Sequence, residues 1–170
     1  ELERELARRR GGYLSEAMSK QITVVDSSVL ISAAIGPDPA RRMRAIALIA
    51  DQRCEFAATR FLKLEVLPIQ RGIKSKKTEL YERFFGNVVA WLDEEPLITP
   101  ALDLACRYGL GGMDALHLAA AISLNAEFVS AERPSKPLYQ AYQNTLTITK
   151  GLPGRANLRQ RFDADVAEFH

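Results

Sequence analysis

The order of segments along the chain predicts an α/β fold: a three-layer α/β/α sandwich around a mostly parallel central sheet. Short β-branched or apolar runs alternate with stretches of helical period. No Asn-Gly or comparable two-residue turn joins two strand candidates, so the strands must be linked by long crossovers, and crossovers make parallel pairs. With 170 residues the chain holds one such domain, which buries roughly 70% of its unfolded surface.

Residues 22–25, Ile-Thr-Val-Val, are a β-branched run of the buried-strand kind. Asp26, Ser27 and Ser28 follow and suit the cap of a helix over 29–34. Gly36, Pro37, Asp38 and Pro39 break the chain, and a helix over 42–52 would turn Met43, Ile46, Ala47 and Ala50 to one side. Phe56, Ala57 and Ala58 give a second strand. Thr59 then caps a helix over 60–70, with Phe61, Leu64 and Leu67 at helical spacing and Pro68 ending or kinking it. Another helix covers 76–85, while 88–92 fits either a strand or a continued helix.

Thr99 and Pro100 open a helix to Tyr108, because proline suits a first turn, and Gly109 is its left-handed stop. A very apolar helix spans 113–124, and 127–130 and 146–148 are strands. Residues 155–169 form an amphipathic helix with Leu158, Phe162, Val166 and Phe169 on one side. The expected core includes Val24, Val25, Phe56, Leu118, Ala119, Ile122, Phe128 and Val129. Three regions result: a charged N-terminal extension, 1–17, set off by Gly11 and Gly12; a domain from Met18 to Lys150; and the C-terminal helix, 151–170.

Composition is that of a globular protein, with 47% hydrophobic and 26% charged residues. The net charge of +2 neither requires nor excludes a nucleic-acid partner, since local charge outweighs the total. Cys54 and Cys106 lack metal-ligand spacing and read as small core residues of a reducing compartment. No apolar run approaches the ~20 residues needed to span a bilayer. The charged N-terminus does not resemble a secretory signal, so a cytoplasmic protein without membrane association is expected.

In a doubly wound sheet, ligands gather at the carboxyl ends of the strands. Four acids fall there: Asp26 after the first strand, Glu65 one turn into the helix after the second, Asp114 in the first turn of the apolar helix, and Glu132 after Ser130. Each lies in apolar sequence, where a carboxylate is costly unless it is paired or binds a metal. Together they would repel one another without a cation, and hard oxygen donors suit Mg²⁺ or Mn²⁺. Singly, each has another reading. Asp26 can be a helix cap and Asp114 a favourable charge at a helix start. Glu65 can pair with Arg60 or Lys63, and Glu132 with Arg133 or Lys136.

Four segments resemble the PIN-domain family, which includes the ribonuclease toxins of bacterial toxin–antitoxin pairs. They are Val24-Val25-Asp26-Ser27-Ser28-Val29-Leu30-Ile31, Phe61-Leu62-Lys63-Leu64-Glu65-Val66-Leu67, Gly112-Met113-Asp114-Ala115-Leu116-His117-Leu118-Ala119-Ala120-Ala121, and Phe128-Val129-Ser130-Ala131-Glu132. The resemblance covers about 22–148, and it departs from the family at Glu132, where an Asp is usual. It implies metal-dependent hydrolysis of single-stranded RNA, with Asp26, Glu65, Asp114 and Glu132 as catalytic acids holding Mg²⁺ or Mn²⁺. Ser28 and Ser130 would support them by hydrogen bonds to carboxylates or a metal water. The resemblance further implies control by a protein antitoxin, and the family often forms homodimers.

His117, one helical turn after Asp114, is read as a structural histidine because its neighbours are apolar. Basic residues cluster at Arg41, Arg42 and Arg44, at Lys74, Lys76 and Lys77, and at Arg155, Arg159 and Arg161. Most read as solvated helix faces. Arg133 and Lys136, nearest the acids, are the expected RNA-phosphate contacts. The alternative function is a non-catalytic PIN-like module that binds RNA or protein, which the Glu132 departure keeps open. A phosphotransfer enzyme of the haloacid-dehalogenase type would want an Asp at the position of Ser28, and a dinucleotide-binding domain would want a Gly-rich loop after the first strand.

Overall fold

Both sides of the strand Gln21–Val25 (β1) are covered by helices, which is why Thr23, Val24 and Val25 are all buried. The computed structural model describes residues 20–67 and 76–150. The expected N-terminal extension, the kink at Pro68, Lys74, and the terminal helix with Arg155, Arg159 and Arg161 lie outside the described residues. Among those described, β1 joins Cys54–Thr59 (β2), Val88–Leu92 (β3), Glu127–Ser130 (β4) and Thr145–Thr147 (β5) in one sheet of order β3-β2-β1-β4-β5. Every pairing is parallel, with Thr23 opposite Phe56 and Val24 opposite Phe128.

The helices are α1 (Ser27–Ile35), α2 (Pro39–Ile49), α3 (Arg60–Val66), α4 (Lys76–Gly86), α5 (Glu95–Tyr108), α6 (Gly112–Ser123) and α7 (Leu138–Ala141). Side chains alternate across a strand, and here the alternation sorts the core into two halves. Val25, Phe56, Ala58 and Val129 pack with Val29, Leu30, Leu48, Leu62 and Phe84 of α1 to α4. Val24, Ala57 and Phe128 pack on the other face with Leu118 and Ala121 of α6 and Leu138 of α7. Behind α6, Leu97 and Ala101 of α5 meet Ala115, Leu116, Ala119 and Ala120, and the small residues let the two helices pack closely. The three-layer α/β/α fold is as expected, and its sheet is parallel throughout.

Several local expectations are corrected. Residues 88–92, whose pattern fits either a strand or a continued helix, are a strand, pairing with β2 at the sheet edge. Helix α2 begins at Pro39, because Asp38 accepts hydrogen bonds from the Ala40 and Arg41 amides and proline needs no partner there. Its buried residues are Ala45 and Leu48, while Met43 is exposed. Helix α3 likewise buries Leu62 and Val66, and turns Leu64 and Leu67 outward. Thr59 occupies the cap position of α3 without a side-chain cap bond; the Glu94 carboxylate accepts from the Arg60 amide instead, at 2.7 Å. Helix α5 starts at Glu95 with Pro96 in its first turn, so Pro100 lies inside it, where it costs one backbone hydrogen bond. Gly109 does take the left-handed conformation, at φ 66°. Ile122, expected in the core, lies in the last turn of α6 outside both contact faces and is exposed; so is Cys106, while Cys54 is buried. The short helix α7 has no counterpart in the sequence reading.

The burial of α3 gives a direct check. Leu62 is 1% exposed and Leu64 is 64% exposed. Leu62→Ala should cost about 2–5 kcal/mol in chemical denaturation, as for other buried leucines. Leu64→Ala should change stability by less than about 0.5 kcal/mol. Equal costs would mean that the helix presents the other face.

Candidate active site

Asp26 follows directly on β1, and its amide continues the ladder by donating to the Val129 carbonyl at 3.2 Å. Its side chain caps α1, accepting from the Val29 amide at 3.2 Å. The Ser28 hydroxyl donates to the same carboxyl oxygen, and the Ser130 hydroxyl also bonds the carboxylate. Each serine has a second partner on the loop after β4. Ser28 Oγ accepts from the Ala131 amide at 2.9 Å, and Ser130 Oγ accepts from the Glu132 amide at 3.0 Å. The carboxylate is thus tied through two hydroxyls to the backbone on either side of the Ala131–Glu132 peptide. Burial pushes the Asp26 carboxyl up to about 6, against the pull of these bonds and of nearby His117.

Glu65, on the second turn of α3, is held at both oxygens. Ser27 Oγ donates to Oε1 at 3.2 Å, and His117 Nε2 lies 2.5 Å from Oε2. Neither basic neighbour on its own helix pairs with it. Arg60 binds Glu94 at 2.9 Å, and Lys63 lies over the Trp91 ring, 4.3 Å from its centroid. His117 is fully packed, and the partner that satisfies it is this carboxylate rather than a backbone group.

Asp114 stands in the first turn of α6, half-buried, with Gly111 at the helix cap. A Cβ at Gly111 would come within 3.4 Å of the Asp114 carboxylate, so glycine leaves that side of the acid open. Burial raises the Asp114 carboxyl above the usual range, and the charges of Glu132 and Glu65 raise it further; His117 and Lys136 oppose this. Glu132 is partly exposed, 4.0 Å from Lys136 Nζ. Its carbonyl is pinned by the Tyr139 and Thr147 hydroxyls, each at 2.9 Å. Arg133 is exposed on the same loop.

The structure therefore brings the four predicted acids to one edge of the sheet, where Asp114 feels Glu65 and Glu132, and His117 feels Asp26 and Asp114. Among the described residues no three His, Cys, Asp or Glu side chains stand together at direct metal-coordinating spacing. A groove of about 940 Å³ lies at the opposite, amino-terminal edge, lined in part by Lys20, Asp51, Glu55 and Arg83; none of the four acids lines it. Ser27 is the site residue that the sequence reading passed over. Nothing in its spacing from Glu65 announces the contact, which depends on α1 and α3 packing side by side.

The PIN domain family model matches residues 23–133, a span that contains all four acids, and the chain belongs to this family. No curated protein matches the sequence. Among solved structures, the fold is similar to that of PAE2754 from Pyrobaculum aerophilum, at 17% identity and a TM-score of 0.54, covering 78% of this chain and 93% of that one. It is also similar to VapBC2 from Rickettsia felis bound to a DNA fragment from their promoter, at 15% identity and a TM-score of 0.51, covering 74% and 96%. At such identities the likeness is one of fold.

The raised carboxyl of Asp26 sets a pH dependence. A group easier to protonate in the folded state stabilises fully below its unfolded value, 3.8, and that stabilisation is lost as pH rises through about 6. Asp26→Asn keeps the cap and removes the charge. Without added metal it should be more stable than the wild type at pH 7, by up to about 3 kcal/mol at roughly 1.4 kcal/mol per pKa unit. The gap should close as pH falls towards 4. Urea unfolding of both proteins across pH 4 to pH 8 measures it, and a gap independent of pH would contradict the buried-charge account.

Proposed function

We propose that the protein is a Mg²⁺- or Mn²⁺-dependent ribonuclease that hydrolyses single-stranded RNA, acting as a cytoplasmic toxin-like component held in check by a protein antitoxin. The observation that carries this reading is the setting of Asp114: a half-buried carboxyl raised first by burial and then by two further acids, from the loop after β4 and from α3, with His117 and Lys136 opposing them. Membership of the PIN domain family supports the nuclease activity. The resemblance to ribonuclease toxins and the fold shared with promoter-bound VapBC2 support the antitoxin partner.

A hard divalent cation fits this donor set. The acids offer oxygens only, and the charges of Glu132 and Glu65 add to burial in raising the proton affinity of Asp114. Mg²⁺ commonly takes one or two carboxylates and keeps several waters, so it does not need three side chains at direct spacing. Asp26, Glu65, Asp114 and Glu132 would hold it, directly or through water. When bound, such an ion acidifies water and offsets negative charge at the phosphodiester.

The chain's own residues supply the rest. Ser28 and Ser130 orient the Asp26 carboxylate by hydrogen bonds. Ser27 and His117 hold Glu65. Lys136, extended beside Glu132, and the exposed Arg133 provide positive charge for RNA phosphates approaching an acidic edge. No helix of the described residues is long and apolar enough to cross a membrane.

Asp114→Asn separates a metal-binding acid from a helix-terminal one. As a helix-start charge alone, Asp114 would contribute about 0.3–1 kcal/mol of stability and nothing to cleavage. The proposal expects a folded variant whose cleavage of a labelled RNA pool falls by at least about a hundredfold, and which gains no thermal stability from Mg²⁺ or Mn²⁺. Wild-type cleavage should stop with EDTA, and its expression in a bacterial host should arrest growth where the variant's does not. RNA binding without cleavage by the wild type would favour the non-catalytic module. A folded Asp114→Asn protein as active as wild type would reject the site.

A further inference from the structure

We infer that His117 is a positioning residue: together with Ser27 it clamps Glu65 in the orientation from which that carboxylate joins the acid cluster. The inference rests on the metal-dependent reading above and extends it to residues outside the four acids. Glu65 has three side-chain torsions and stands on the seven-residue helix α3, with 24% of its side chain exposed. Left alone, it would sample several rotamers. Two bonds from two different helices remove that freedom, Ser27 of α1 on Oε1 and His117 of α6 on Oε2.

The donor on α6 is itself packed in the interior. The His117 side chain is 2% exposed and lies one turn after Asp114, on the same side of the helix. Since an ionised carboxylate only accepts, Nε2 carries the hydrogen in this contact. A carboxylate offers about four lone-pair positions, so one remains on each oxygen after both bonds are made. The clamp therefore fixes Glu65 without using up its capacity as a ligand. A histidine serving only the core would be satisfied by any acceptor; this one is satisfied by one of the acids whose charge reaches Asp114. Hydrogen bonds of this kind, from a buried side chain to a ligating carboxylate, set ligand orientation.

The test measures Mn²⁺ binding to the full chain by calorimetry, with metal-free thermal unfolding of each variant and kcat and KM on a labelled RNA. Wild type should bind Mn²⁺ in a manner lost in Asp114→Asn. His117→Leu, similar in volume but without a donor, should bind about 10- to 100-fold more weakly, the usual effect of removing such a support. Its kcat should fall while KM for RNA changes little. His117→Gln returns a donor and should recover much of the affinity; Ser27→Ala should weaken binding in the same direction as His117→Leu. A folded His117→Leu protein that binds Mn²⁺ like wild type, while Asp114→Asn does not, overturns the clamp and leaves the metal reading intact. If His117→Leu does not fold, wild-type affinity in Ser27→Ala overturns it. If wild type takes up no Mn²⁺, the metal reading falls and the clamp falls with it.

Discussion

At the end of β1 the carboxylate of Asp26 is removed from water, and the groups that replace its hydration are two serine hydroxyls and one backbone amide. A charge in that position is costly unless its neighbours are arranged around it. The surrounding chain supplies the arrangement. The amide comes from the first turn of α1, which the same side chain caps. One hydroxyl comes from α1 and the other from the end of β4, and each hydroxyl is oriented by an amide of the following loop. The central strand, its neighbour and the first helix are thereby joined at a single acid. The bonds do not cancel the cost, because the carboxyl remains raised to about 6. What is left over is a raised affinity for a proton at that point.

Parallel topology explains why the other acids arrive at the same edge. Each crossover returns the chain so that every strand ends on one side, and the segments that follow begin there. Glu65 comes from the helix after β2, Asp114 from the helix that leads into β4, and Glu132 from the loop after it. These positions are up to 106 residues from Asp26 in sequence, from Asp26 to Glu132. The arrangement leaves each acid partly balanced by a specific neighbour: hydroxyls for Asp26, a histidine and a serine for Glu65, a lysine for Glu132. Asp114 is raised by burial and then by the charges of Glu132 and Glu65, with His117 and Lys136 opposing them.

Away from this edge the structure uses ordinary devices. The edge strand β3 exposes Val89 and Trp91, and Lys63 lays its ammonium over the Trp91 ring while its stem shields apolar surface. Arg44 of α2 reaches the carbonyls of Ile148 and Thr149 and ties the segment after β5 to the helical layer. Glu94, almost buried, serves α3 as a cap delivered from the loop after β3. These contacts tie loops and helices to the sheet on which the acids stand.

The sequence by itself determined the fold class and the positions of the acids, because both depend on local pattern. Val24 and Val25 before Asp26, or Phe128 and Val129 before Ser130, read as doubly buried strands whatever surrounds them, and an acid following such a strand is conspicuous. Helix faces were less legible. In α3 and α2 a spacing of three or four fits more than one set of apolar residues, and the choice of Leu62 and Val66 over Leu64 and Leu67 follows from which side meets the sheet. The start of α3 at Arg60 was legible but its cap was not, because the acceptor for the Arg60 amide is Glu94, distant in sequence, in place of Thr59. The pairing of Glu65 with His117 and Ser27 was decided by tertiary structure alone. Those three residues lie on three helices, separated by 38 and 52 positions, and no local rule relates them until the packing of α1, α3 and α6 brings a donor to each oxygen of one carboxylate.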